Sequence, residues 1–144
     1  MLNEWLWSDV SGERGEANQA ETGRFLEAFL QSGDRVVVVR GSAFDTKAWK
    51  QCKSLDSRAL LLARRFVRSI RFDPDKCLLL ESTALPALPK ELTRPVNVDD
   101  HYLVQAQLAV PGSVVVTTDS ALRQVLLGHG LRCEDRDAFL RSRL

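Results

Sequence analysis

Three aspartates stand where a chain of this pattern can turn carboxylates toward a ligand. Asp119 closes the run Val114-Val-Val-Thr-Thr-Asp119, and Asp99 and Asp100 open the apolar stretch that ends at Ala109. Oxygen ligands grouped without Cys or His suit Mg²⁺ or Mn²⁺. Each aspartate also precedes a helix pattern, and Asp is a favoured N-cap, so capping is the competing role for all three. Other site signatures are missing from the chain: no Walker loop, no G-x-G-x-x-G, no H-E-x-x-H and no G-x-S-x-G occurs.

The elements that must position these acids alternate between helix and strand. Residues 20–31 space Phe25, Leu26, Phe29 and Leu30 as a helix, with Gly33 as its stop. Arg35-Val-Val-Val-Val-Arg40 predicts a strand buried on both faces. A short basic helix is expected over 44–53. A longer helix over 57–71 has Ala59, Leu62, Ala63, Phe66, Val67 and Ile70 on its apolar stripe, with Arg58, Arg64, Arg65, Arg68 and Arg71 opposite. Cys77–Leu80 predicts a second buried strand. An irregular connection over 82–97 carries Pro86, Pro89 and Pro95. A helix over 100–109, a strand over 113–117, a helix over 120–128 and a short strand at Leu131–Cys133 complete the pattern.

Such alternation, with uniformly apolar strands, implies an α/β fold: a parallel sheet covered on both faces. In an open parallel sheet, ligands bind beyond the carboxyl ends of the strands. Asp119 follows a strand and Asp99-Asp100 start the helix before it, so all three fall on that same rim.

The 144 residues amount to one ordinary domain, read here as a single domain over 1–144. Hydrophobic residues at 44% and charged residues at 27% exclude a disordered or collagen-like chain. No apolar run reaches the ~18 residues of a membrane span. The acidic N-terminus lacks the basic-then-apolar order of a secretory signal, so a cytoplasmic location is expected. Cys52, Cys77 and Cys133 form no C-x-x-C pair, and buried free thiols are the expected reading.

A net charge of +1 conceals a segregation. Residues 1–34 carry seven acids against two bases, whereas residues 47–71 carry eight bases against Asp56 alone. That asymmetry points to a polyanionic partner, with a solvated helix face as the competing reading. Trp5, Trp7 and Trp49 are candidates for stacking on bases or, alternatively, for the core. His101, beside Asp100, is a candidate general base or a surface residue.

Val98-Asp-Asp-His-Tyr-Leu-Val-Gln-Ala-Gln-Leu-Ala109, followed by Pro-Gly and Ser113-Val-Val-Val-Thr-Thr-Asp119, resembles the C-terminal half of a PIN domain. In that family an Asp opens a helix with an apolar stripe, and the next strand ends in Thr-x-Asp. Asp100 matches the helix-opening acid, with Asp99 the fallback, and Asp119 matches the acid after the strand. Leu131–Cys133 and Asp137–Leu140 resemble the last strand and terminal helix. The N-terminal half departs from the pattern. Only Met1-Leu2 precedes Asn3-Glu4, so the first strand is very short and Glu4, or else Asn3, stands for the first acid. Asp45 is an imperfect substitute for the second acid, and Glu81 is a further carboxylate near the rim.

The resemblance implies a three-layer fold with about four to five parallel strands. It also implies a metal-dependent endoribonuclease, toxin-like in kind, cutting single-stranded or structured RNA with Mg²⁺ or Mn²⁺ held by Glu4, Asp100 and Asp119. Lys47, Lys50, Lys53, Arg64, Arg65 and Arg68 are the residues expected to grip phosphates. An antitoxin-like protein partner and a homodimer belong to the same expectation. The altered N-terminal acids leave a second alternative, a catalytically degenerate module that binds nucleic acid or protein without cutting.

Overall fold

A computed structural model describes residues 1–144. Eight α-helices surround two small parallel sheets: a mixed α/β chain. In order, the elements are α1 (Trp5–Ser11), α2 (Glu16–Gln31), β1 (Val36–Val39), α3 (Ala43–Gln51), α4 (Ser57–Phe66), β2 (Cys77–Leu80), α5 (Lys90–Thr93), α6 (His101–Ala109), β3 (Val115–Thr117), α7 (Ser120–Gly128), β4 (Cys133–Asp135) and α8 (Arg136–Arg141). No helix is long and apolar enough to cross a membrane.

β1 pairs with β2 in the register Val36–Cys77 to Val39–Leu80, and β3 pairs with β4 from Val115–Cys133 to Thr117–Asp135. Met1-Leu2 adds one parallel bridge, Leu2 to Val116, in which the Asn3 N–H donates to the Val116 carbonyl at 3.1 Å. The ladders thus form two sheets of two strands rather than one sheet of four or five. The strands are three or four residues long, and the N-terminal segment pairs only with β3.

Strand periodicity divides the apolar residues between two cores. Val36, Val38 and Val116 join Trp5, Trp7, Phe25, Phe44 and Phe66 in one, whereas Val37, Val39 and Val115 join Leu103, Val104, Leu122 and Leu126 in the other. All four residues of β1 are buried, as its valine run demands. β2 differs from the expected buried strand. Only Cys77 is buried, because β2 lies at an edge and pairs with β1 alone.

Three other boundaries move. α2 begins at Glu16, four residues early, because its first turn, Glu16–Gln19, carries no large apolar residue to mark it. β4 lies two residues beyond Leu131, and its Glu134 and Asp135 are half-buried polar positions that hide a strand from an apolar search. The helix expected over 57–71 changes pitch at Val67, where a π-helical turn runs to Arg71 and the Phe72 N–H donates to the Val67 carbonyl. That wider turn advances fewer degrees per residue. It carries Arg71 off the solvated face and into the interior, 7% exposed, against the helical-wheel expectation.

Trp5 and Trp7 are core residues, 4% and 2% exposed. The Trp5 indole N–H donates to the Val116 carbonyl at 2.9 Å, and Trp7 packs edge-on against Phe66. Cys77 and Cys133 are buried free thiols pushed up to about 11 by burial, so neither is an ionised nucleophile at neutral pH.

Candidate functional site

Four carboxylates from three distant stretches of chain act on one another at the carboxyl end of β3. Asp100 is half-buried at the start of α6. Its carboxyl is raised above the ordinary range by burial first, and then by the negative charges of Asp119, Glu4 and Asp99. Sequence spacing alone places Asp99, Asp100 and Asp119 on one rim, and the fold adds Glu4 to them.

The competing role of capping divides these acids. Asp119 is a cap: its Oδ1 accepts from the backbone N–H groups of Ala121 at 2.9 Å and Leu122 at 3.1 Å. Asp99 and Asp100 are not, because Asn97 caps their turn by accepting from the Asp99 N–H at 3.0 Å, and Asp100 makes no side-chain cap bond. Asp100 is therefore a half-buried carboxylate that the helix does not need.

Local bonding holds Glu4 at the rim. The Asn3 amide donates to Thr117 Oγ1 at 3.2 Å, the Asn3 Oδ1 accepts from the Glu4 N–H at 2.7 Å, and α1 begins directly after. Asn3 thus fixes the backbone there rather than serving as an acid. The Glu4 carboxylate meets the Lys47 ammonium at 2.8 Å. Sequence reasoning assigned Lys47 to phosphate, and nothing in the spacing of residues 43 apart reveals the ion pair. Tyr102, also unforeseen, stands half-buried near the same acids. Burial pushes its phenol up, and the charges of Glu4 and Asp100 add to that.

Several candidates lie elsewhere. Asp45 is turned into the core, where the Arg71 guanidinium donates from Nε to its Oδ1 at 2.8 Å and the Gly41 N–H donates to its Oδ2 at 2.9 Å. Burial opposes the Asp45 charge. The Arg71 hydrogen bonds, the Gly41 N–H and the charges of Arg71 and Arg40 outweigh it, and hold the carboxyl below the usual range. Glu81 pairs with Arg40 at the exposed edge of β2. His101 donates through Nε2 to the carbonyls of Val96 at 2.9 Å and Thr93 at 3.2 Å, which fixes the ring against the segment before α6 and leaves Nδ1 as its basic nitrogen. A cavity of about 260 Å³ opens at the amino ends of β1 and β3, and none of the candidate acids lines it.

Among the basic residues, Lys50, Lys53, Arg64 and Arg68 are exposed and have no carboxylate partner. Arg65 pairs with Glu27 at 3.1 Å. The exposed basic face is thus built by α3, α4 and the turns that follow each, with α3 adjoining the acids through Lys47.

Comparison with family models, with curated proteins and with solved structures returns no match for this chain.

The raised Asp100 has a thermodynamic consequence. A carboxyl whose folded pKa exceeds its unfolded value binds more protons in the folded state, so its contribution falls as pH rises between the two. Asp100→Asn removes that charge. In chelator at neutral pH the variant is expected to be more stable than the wild type, and the difference should vanish once the pH drops below the ordinary Asp range. Urea unfolding of both proteins at several pH values measures it. A variant less stable than wild type at neutral pH would show that Asp100 is a structural acid.

Proposed function

We propose that the chain is a PIN-like metal-dependent endoribonuclease, hydrolysing RNA phosphodiester bonds at Glu4, Asp100 and Asp119. The observation that carries this reading is the half-buried Asp100. It serves no cap, and two acids from remote parts of the sequence, Asp119 and Glu4, bear on it together with its neighbour Asp99. Repulsion between neighbouring carboxylates costs stability, and perturbed acids gather at functional sites. The fold reading goes with it: a three-layer α/β domain with the order β2, β1, the Met1-Leu2 segment, β3, β4. Its support is the Leu2–Val116 bridge and the division of strand residues between two cores.

The donor set suits a hard divalent cation, being all oxygen and uncompensated at Asp100. No three of the acids, as they stand, are close enough to grip one ion, and Lys47 holds Glu4. Asp100 and Asp119 would hold Mg²⁺ or Mn²⁺, with Glu4 completing the set. A divalent ion bound there supplies a water acidified for attack on phosphorus and neutralises charge on the phosphate. The protein's own groups position the substrate. Lys50, Lys53, Arg64 and Arg68 present free cations to the backbone, and Lys47 and Arg65 join them when phosphate competes with their carboxylates.

Cleavage of a pool of single-stranded and structured RNA with Mn²⁺, with Mg²⁺ and with chelator tests this. The wild type should cut only with metal. Asp100→Asn and Asp119→Asn should lose cleavage by at least about a hundredfold while remaining folded, Asn being an adequate cap at position 119. Metal should also stabilise the wild type by about 2.7 kcal/mol at a hundredfold excess over its dissociation constant. Asp119→Asn should lose that gain.

A second reading has its own observation. The Lys47 ammonium supplies Glu4 with a positive charge, and Asp45 is consumed by Arg71. Both features suit a degenerate module that binds nucleic acid, or an antitoxin-like protein or a second copy, without cutting. RNA binding without cleavage in any metal would establish it.

A further inference from the structure

We infer that Trp49 and Phe72 form a stacking platform for an unpaired nucleobase, so the basic face takes single-stranded RNA in preference to duplex; this rests on reading that face as RNA-binding. The two rings meet edge to face with centroids 5.6 Å apart, and both are open to solvent, Trp49 at 42% and Phe72 at 62%. Large aromatics are usually sequestered, as Trp5 and Trp7 are here. A touching pair left outside is a π surface offered to something flat.

Its setting specifies what that is. Along α3 each residue advances the face by about 100°. Lys47, against Glu4, and Trp49 therefore lie on opposite flanks of the helix, Lys50 projects between them from its outer side, and Lys53 follows in the exposed turn after its end. Arg64 near the end of α4 and Arg68 in the π-helical turn after it are both exposed and lead toward Phe72. They are close enough to α3 for their charges to act on Cys52, whose thiol burial pushes up. The Arg71 guanidinium lies 5.9 Å from the centre of the Phe72 ring, which makes the ring a cation–π partner as well. No carboxylate pairs with Lys50, Lys53, Arg64 or Arg68. Exposed aromatic rings framed by free cations complement a base attached to phosphates, the base stacking on the open face of one ring against the edge of the other. A duplex keeps its bases stacked on one another and cannot offer one. A strand lying over the outer side of α3 would join the carboxylate rim to the platform.

Tryptophan emission tests the platform directly, because Trp49 is the exposed tryptophan of the three. The full chain is titrated with a single-stranded oligoadenylate of about 12 nucleotides, with an RNA duplex of the same length, and with heparin. Oligoadenylate should quench emission, while duplex and heparin should bind through charge without doing so. Trp49→Leu should weaken oligoadenylate binding at least about fivefold yet leave heparin binding and the salt dependence unchanged. Phe72→Leu should show the same pattern, which guards against a folding artefact at either position. Lys50→Gln and Lys53→Gln should instead reduce the salt slope by about 0.7 each. No quenching, or equal oligoadenylate affinity in wild type and Trp49→Leu, overturns the platform. So does a wild type that binds no oligoadenylate, which would leave the pair to a protein partner. Quenching without cleavage in any metal leaves the platform standing and removes the nuclease. Cleavage indifferent to Trp49 and Phe72 does the reverse.

Discussion

Replacing Arg136 with methionine is expected to cost the fold about 3–5 kcal/mol, since it strands a buried carboxylate. Arg136 is 2% exposed and Asp9 is fully buried, and the guanidinium Nε donates to Asp9 Oδ2 at 2.8 Å. From the same side chain Nη1 reaches Asp137 at 2.7 Å and Glu21 at 3.4 Å, and the guanidinium carbon stands 5.5 Å from the centre of the Trp5 ring. One side chain thereby ties α1, α2 and α8 together. Remove it and Asp9 keeps only Arg14, at 3.4 Å, and the Thr22 hydroxyl. The melting temperature should drop by on the order of 10 °C. Lysine should not rescue the loss, because an ammonium cannot address three carboxylates as a planar fork does. The double variant Asp9→Leu with Arg136→Met should recover much of it. A drop below about 2 °C for Arg136→Met alone would mean that water reaches Asp9 and the pair is not buried in solution.

Arg71→Leu should have a loss of similar size with a distinctive pH signature. In the wild type the carboxyl of Asp45 is held below its usual range. Its contribution is therefore present above the ordinary Asp value and lost as pH falls through the lowered folded value. Without Arg71 the sign reverses. Burial is then the dominant influence on Asp45, its folded pKa lies above the unfolded one, and acidification stabilises the variant by neutralising it. The two proteins should converge as pH falls below about 4. Stability curves from urea unfolding between neutral and acid pH would show convergence. Parallel curves would mean that Arg71 contributes packing and that the ion pair adds nothing.

The parts of the fold that were legible in the sequence are those where one physical signal dominates. The four valines of β1 can only be an interior strand. α7 runs over Ser120–Gly128 as expected, since Asp119 caps it and glycines stop it. Boundaries shifted where the signal was polar, as at Glu16 and at Glu134-Asp135. For the candidate site, the rule that strand ends and helix starts share a rim located Asp99, Asp100 and Asp119, and topology was enough. What spacing could not supply was partnership: Lys47 with Glu4, Asp45 with Arg71, and Asn97 as the cap that frees Asp100. Those depend on side chains brought together from distant parts of the chain. Trp49 and Phe72 could not be told from core aromatics for the same reason, as burial is a property of the whole fold.

The π-helical turn at Val67–Arg71 gives this stretch one residue of slack. Its wide bond from Phe72 to Val67 accommodates one residue more than a regular turn would. Arg71 and Phe72 therefore stand where the residues one position earlier would stand in a regular helix, facing Asp45 and Trp49. Deleting the surplus residue, at Arg68 or Ser69, would let the helix close into regular pitch with Phe72 still one turn beyond Val67. The core would keep its guanidinium and the surface its aromatic ring. Homologous chains one residue shorter here should therefore retain Asp45 and Trp49, whereas an insertion would turn both partners out of place.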